Sequence, residues 1–400
     1  MPARIYFDNA ATTPLDPRVL VAMQPYQEAF WGNPSSLHGE GRQAREAVDT
    51  ARRQVADLLG ATPKEIVFTS GGTEADNLAI QGVLEAIGPS GCHIITSAIE
   101  HPAVLACCRL LECRGTAVTL LPVGSSGILD PAELVRALRP ETRLVSIMAA
   151  NNVVGTIQPL AELAAITRGH GALFHTDAVQ AVGKLAIDVH AQSIDLLSLS
   201  GHKFHGPKGV GALFVRNGVA LSPLFPGGGQ EGDRRSGTEN VAGIVGLGAA
   251  AEIARAEMAD DAVRLVRIRD HLIDTLLSTN DNAYLIGDRH RRLPGHICVG
   301  FDGLEGEAIK LLMELDEAGF AVSSGSACSS HHAGQPSHVL RALGFDVYKA
   351  RGSLRITLGR FNTREEVDKL LQSLPRAVAS LRPIRSLRGG SMAGSVVASQ

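Results

Sequence analysis

A chain of 400 residues and 42.1 kDa buries roughly three quarters of its unfolded surface on folding, enough for a core without disulfides or a structural metal. Its 44% hydrophobic and 20% charged residues exclude a disordered or coiled-coil chain, and no apolar run reaches the ~20 residues of a membrane span. With 38 basic and 41 acidic residues the net charge is −3, which excludes a general attraction to nucleic acid or anionic lipid and favours small-molecule chemistry.

The N-terminal stretch MPARIYFDNAATTP has no apolar segment of a secretory signal, so a cytoplasmic chain is expected. From about residue 40 the pattern alternates. GRQAREAVDTARRQVADLLG reads as a helix ending at Gly60, EIVFTS as a strand, TEADNLAIQGVLEAI as a helix and HIITS as a strand. A helix near 102–113, strand AVTLLP, helix PAELVRAL, strand RLVSIMAA, a helix near 160–168 and strand ALFHT follow. IDLLSLS and GALFV complete a set of near-continuous apolar strands, the signature of a mostly parallel sheet covered on both faces. In such an α/β fold, ligands bind outside the carboxyl ends of the strands. Beyond the loop FPGGGQEGDRRSGT, two long helical patterns occupy about 239–279. HICVGF, EGEAIKLLMELDEAG, AVSS, LRITLG and TREEVDKLLQSLPRAVASL then suggest a second, α+β domain, and the small, polar end of the chain reads as a tail.

Three strand-end loops hold polar residues that a fold without chemistry does not need. Thr69-Ser70-Gly71-Gly72-Thr73-Glu74 frees backbone N–H groups at a helix start, which suits a phosphate, or it is a plain helix cap. Asp177 follows an apolar strand, where it is an acid for a site or another cap. Lys203, in SGHK, also follows a buried strand, where partial desolvation would free its amine for Schiff-base chemistry. A phosphate cradle, an acid and a lysine are together what pyridoxal 5′-phosphate (PLP) requires.

Six cysteines are too few for a disulfide scaffold, and Cys92, Cys107, Cys108 and Cys113 lack zinc-site spacing. Cys298 reads as core. Cys328 stands apart, in SSGSACSSHHAG, a run of small residues that leaves a thiol reachable. His331 and His332 are adjacent and no third ligand accompanies them, so no metal held by this chain alone is expected.

The motifs DNAATTP (8–14), GNPSSLH (32–38), FTSGGTEADN (68–77), EHPAVL (100–105), FHTDAVQAVGK (174–184), SGHK (200–203), RSGTEN (235–240), SSGSACSS (323–330) and PSHVLRALG (336–344) resemble, in order and over about residues 5–382, the cysteine desulfurases of the nitrogen-fixation and iron–sulfur-assembly type. The resemblance implies the PLP-dependent transferase fold-type I. It places a large PLP-binding domain at 15–258, and a small domain at 1–14 and 259–385 carrying the cysteine loop at about 323–335. The remaining 386–400 would be a mobile tail. It implies Lys203 as the Schiff-base lysine, Asp177 as partner of the pyridinium nitrogen, Gln180 on the phenolic oxygen and His101 over the ring, with a role in proton transfer. Gly72, Thr73, Ser200 and His202 would hold the phosphate, joined by Thr238 from a neighbouring subunit, so that a homodimer shares its active sites. Asn152 would lie near cofactor and substrate carboxylate, and Arg355 would clamp that carboxylate.

Cys328 matches the nucleophile that takes sulfur from L-cysteine as a persulfide, releasing L-alanine. Its thiol would pass the sulfur to an iron–sulfur scaffold or another acceptor protein, with transient help in ligating iron. No direct contact with nucleic acid or membrane is implied. A selenocysteine lyase or a non-catalytic docking dimer are the alternatives. The chain departs from the pattern at Val153, where the family carries Glu, at Gly232-Asp233, and in a longer stretch after Cys328.

Overall fold

The computed structural model describes residues 4–88, 90–325 and 336–388, with side chains as far as 381. The strands of the first two thirds are β1 (Ile5–Tyr6), β2 (Ile66–Thr69), β3 (His93–Ser97), β4 (Ala117–Leu121), β5 (Thr142–Ser146), β6 (Leu173–Asp177), β7 (Leu196–Ser200) and β8 (Gly211–Val215). Then come β9 (Ala283–Leu285), β10 (His296–Phe301), β11 (Phe320–Ala321), β12 (Ser323–Ser324) and β13 (Leu354–Thr357).

One compact unit comprises Asn9–Arg264 and Gly287–Pro294. Its seven-stranded sheet runs β2-β8-β7-β6-β5-β3-β4 and is parallel apart from β8, which is antiparallel to β2 and β7. Consecutive residues of a strand point to opposite faces, and the core divides accordingly. Ile66, Phe68, Val145, Leu197, Leu199, Ala212 and Phe214 join one apolar cluster. The alternate residues Val67, Leu144, Leu196, Leu213 and Val215 join another. Both faces are therefore dry, as near-continuous apolar strands require. Fully burying a residue such as Phe174 or Phe214 contributes about 2–3 kcal/mol, so the strand ends are a rigid platform for the loops.

The other unit takes in residues 1–8, 265–286 and 295–400. It holds the sheet β12-β13-β10-β9, the short parallel pair β1-β11 and its own core around Leu272, Ile297, Phe301, Leu315 and Leu370. Helices Ala308–Glu317 and Arg364–Arg388 belong to it.

The expected α/β class with a smaller α+β unit holds. Three details differ. The two helical patterns at 239–279 form one helix, Val241–Thr279, because no Gly or Pro interrupts residues 249–279. The expected small-domain segments 9–14, 259–264 and 287–294 fall in the large unit instead. Backbone bonds explain this: Thr13 N donates to His202 O, Ile157 N to Arg291 O and Leu293 N to Gly155 O. Lastly, residues 386–388 continue the final helix rather than open a tail, and 389–400 lie outside the described residues.

Candidate active site

The carboxyl ends of β2, β3, β5, β6 and β7, or the segments that directly follow them, carry Thr73, His101, Asn152, Asp177 and Lys203, respectively. Lys203 closes a single 3-10 turn, Gly201–Lys203, directly after β7. The half-buried side chain donates from Nζ to Ala10 O at 2.7 Å and Ala11 O at 2.8 Å. His202 Nδ1 lies 3.1 Å from Thr12 Oγ1. Burial, with the charges of Lys203, Lys208 and Lys184, pushes its imidazole down to about 4. His202 is thus neutral near pH 7 and offers a single ring N–H.

Asp177, the last residue of β6, is buried and its Oδ1 accepts from Val179 N at 3.0 Å. His101 caps the helix Pro102–Glu112 by accepting Ala103 N on Nδ1 at 3.1 Å. That bond places the proton of the neutral ring on Nε2. One side-chain atom each of Asp76, His101 and Asp177 lies within 4.8 Å of the others. Asn151 secures the neighbouring loop: Nδ2 donates to Ile99 O at 2.8 Å, and Oδ1 accepts from Val153 N and Val154 N. Asn152 is thereby held close to the segment that carries His101. Gln180 is buried and donates from Nε2 to Ala10 O at 2.8 Å, the same carbonyl that holds Lys203.

Beneath these residues lies a buried polar layer. His175 contacts Ser146 Oγ at 2.8 Å through Nδ1 and Ser198 Oγ at 3.0 Å through Nε2, and burial pushes it down to about 3. Glu100 Oε1 accepts from Ser97 Oγ at 2.6 Å and Met148 N at 3.0 Å. Burial pushes Glu100 up to about 8, with a contribution from Asp177. Burial and the Asp177 charge raise Asp76 well above the usual carboxylate range. Asp177 itself is raised by burial, while His101, the Val179 N–H and Lys203 pull it back. Of the three neighbouring acids, Asp177 is the one whose charge is favoured by cationic groups, His101 and Lys203.

The Glu100 shift has a testable sign. An acid with a raised folded pKa binds its proton more tightly in the folded chain, so stability is fully present below the ordinary value of 4.5 and falls as pH rises toward 8. Glu100→Gln keeps an acceptor for Ser97 and Met148 and removes that loss. Its melting temperature should gain on the parent steadily from pH ~5 to ~8. Parallel profiles would contradict a proton on Glu100.

The aminotransferase class-V family model matches residues 5–370. The cysteine desulfurase IscS of Dictyoglomus turgidum is 48% identical over 384 residues, spanning 96% of this chain and 97% of that protein. The cysteine desulfurase IscS of Methanosarcina thermophila is 50% identical over 383 residues, spanning 96% and 94%. The chain belongs to the cysteine desulfurases of the class-V aminotransferase family. Among solved structures, a NifS-like protein superposes with a TM-score of 0.88 at 40% identity, over 94% of this chain and 100% of its own. A structure described as SspA in complex with cysteine gives a TM-score of 0.78 at 38% identity, over 90% and 100%.

Cysteine desulfurases are PLP enzymes, and the residues present fit that cofactor. Helix Gly72–Ile87 starts at the carboxyl end of β2 with Gly71 at its cap, and its first N–H groups have no partner within the helix. A Cβ on Gly72 would stand 2.6 Å from Val179 Cγ2 and 3.7 Å from Ser200 Cβ. The glycine therefore allows the helix start, the Asp177 loop and the end of β7 to meet around a phosphate-sized donor set. Gly72→Ala should weaken PLP retention about tenfold, the scale of modest overpacking, measured by equilibrium dialysis. Undiminished affinity would detach this turn from the cofactor.

Two implied residues lie in the other unit or outside the description. Arg355, on β13, is buried and pairs with Asp8, its Nη2 2.9 Å from Oδ1. Cys328, with His331 and His332, lies outside the described residues. Thr238 is exposed and lines a recess of about 110 Å³ with Thr69 and Ser70 of the same chain. Arg235 Nε holds this region to the cradle helix through Glu74 Oε1 at 2.8 Å. Val153 is buried. The sequence reading passed over Asp76, Glu100, Lys184 and Asp8, although each stands inside a quoted motif. Ala10 and Ala11 act through backbone carbonyls, which no side-chain pattern reveals.

Proposed function

We propose that this cysteine desulfurase stores sulfur from L-cysteine as a persulfide on Cys328 and hands it to an acceptor protein. The supporting observation is that Lys203, Gln180 and the Asp177–His101 pair converge at the strand ends of one sheet. The family's own nucleophile position is filled by a cysteine in SSGSACSS.

PLP, when bound, supplies an electron sink for the carbon that bears the substrate's amine. Lys203 would carry the cofactor, and its amine would take and return the proton at that carbon. The buried Asp177 carboxylate would keep the pyridine nitrogen protonated. Gly72, Thr73, Ser200 and His202 would hold the phosphate, and Gln180 the phenolic oxygen. His101, with its ring proton on Nε2, would move a proton between the substrate thiol and Cys328. Arg355 and Asn152 would orient the substrate carboxylate, with the guanidinium fork suited to that anion.

The Cys328 thiolate attacks the substrate sulfur, the carbon–sulfur bond breaks, and the sulfur stays on Cys328 as a persulfide. The carbon takes up a proton and leaves as L-alanine. The carbon is reduced and the two sulfurs share the oxidation, so no external oxidant is needed.

In this proposal Thr238 completes the phosphate site of a second copy, giving a homodimer with shared active sites. The acceptor is an iron–sulfur scaffold or another sulfur-accepting protein, and the reaction takes place in the cytoplasm. No helix of the described residues is long and apolar enough to cross a membrane. The test is incubation with L-cysteine without a thiol reductant, followed by alanine assay and peptide mass spectrometry. One added sulfur atom on the Cys328 peptide, formed with alanine, is expected. Alanine without that sulfur would reject the proposal.

A further inference from the structure

Lys184 takes no part in the scheme above, yet its amine lies beside the residues that do. It follows Gly183, whose φ is +74° and whose added Cβ would stand 2.6 Å from Phe204 Cβ. This close approach sets Lys184 against the Gly201–Phe204 turn. Its Nζ donates to Gln180 Oε1 at 3.2 Å. On the other end of the same amide, Gln180 Nε2 donates to Ala10 O at 2.8 Å, and Lys203 Nζ reaches that carbonyl at 2.7 Å.

We propose that Lys184 is a positioning residue that locks the Gln180 amide with its NH2 group turned toward Lys203. An ammonium is a donor only, so it can face the amide oxygen and never the NH2. A phenolic oxygen that has lost its proton is an acceptor, so Gln180 serves it only with the NH2 presented. The lock therefore selects the one amide orientation of use, and the inference rests on the reading of Gln180 as the partner of that oxygen. Burial and the Lys203 charge push Lys184 down to about 7. As it loses its proton, the amine becomes an acceptor too, and the lock loosens. The charged and titratable groups around it are Lys203 and His202, with Lys208 and Asp177 facing those two.

The test follows the absorbance of the PLP-loaded enzyme against pH, without turnover. A donor on the phenolic oxygen disfavours the protonated chromophore. Lys184→Met should therefore raise its apparent pKa by about one unit, a tenfold change in the equilibrium. Lys184→Arg, a donor only at every pH, should give a value at or below the parent's. Gln180→Leu should raise the value as well, and adding Lys184→Met to it should change nothing more. An equal Lys184→Met shift in the Gln180→Leu background would overturn the inference, because the lysine would then act by charge alone. A Gln180→Leu enzyme that titrates like the parent would overturn the reading of Gln180 together with the inference. If the Met variant fails to fold, Lys184→Gln, which can accept as well as donate, serves with the same two outcomes.

Discussion

Lys203→Ala should fold, bind PLP only weakly and form alanine from L-cysteine at least about 10³-fold more slowly. The side chain is half-buried and makes its two described hydrogen bonds to backbone carbonyls, Ala10 O and Ala11 O. Its loss opens no core cavity, and stability should change by about 1 kcal/mol or less. Two roles vanish together in the proposed scheme: the attachment point and the base. Gel filtration after PLP loading reads the first, and alanine release reads the second. Adding methylamine should restore a little of the second and none of the first. Retention of PLP after borohydride reduction and denaturation of the variant would show that another amine holds the cofactor, and Lys184 would be the first to examine.

Cys328→Ser should separate loading from sulfur transfer. A serine hydroxyl does not attack sulfur as a thiolate does, so alanine formation should fall by about 10³-fold or more, while PLP content and absorbance match the parent. The contrast with Lys203→Ala is diagnostic, since there both properties are lost. A Ser variant with parental alanine release would mean that sulfur leaves without resting on the chain, as expected of a lyase rather than of a desulfurase.

The central sheet was legible because most of its strands are buried on both faces: GALFV is wholly apolar, and HIITS keeps its polar residues to the two ends. The helix Gly39–Leu59 was legible from its apolar spacing and its glycine stop. Residues 252–264 were not. They are rich in charge and carry little apolar stripe, so a continuous 39-residue helix looked like two. The strand β9 and the pair β1-β11 are only two or three residues long, too short for any period to show. In the site, the residues named from motifs were those whose chemistry is exposed in the residue type: Lys203, Asp177, His101. What the sequence hid was depth. Asp76 and Glu100 look like ordinary helix-start acids, and only burial, with the Asp177 charge beside them, raises their pKa values.

The Arg355–Asp8 pair carries a consequence for selectivity. If Arg355 binds the substrate carboxylate as proposed, its Nη2 is already engaged by Asp8, and an arriving anion gains only the difference between new bonds and old. Chloride or acetate, with no second anchor elsewhere, would gain almost nothing by displacing Asp8. A molecule anchored elsewhere at the same moment could make that exchange, so in the proposed scheme the pair would act as a toll that solitary anions fail to clear.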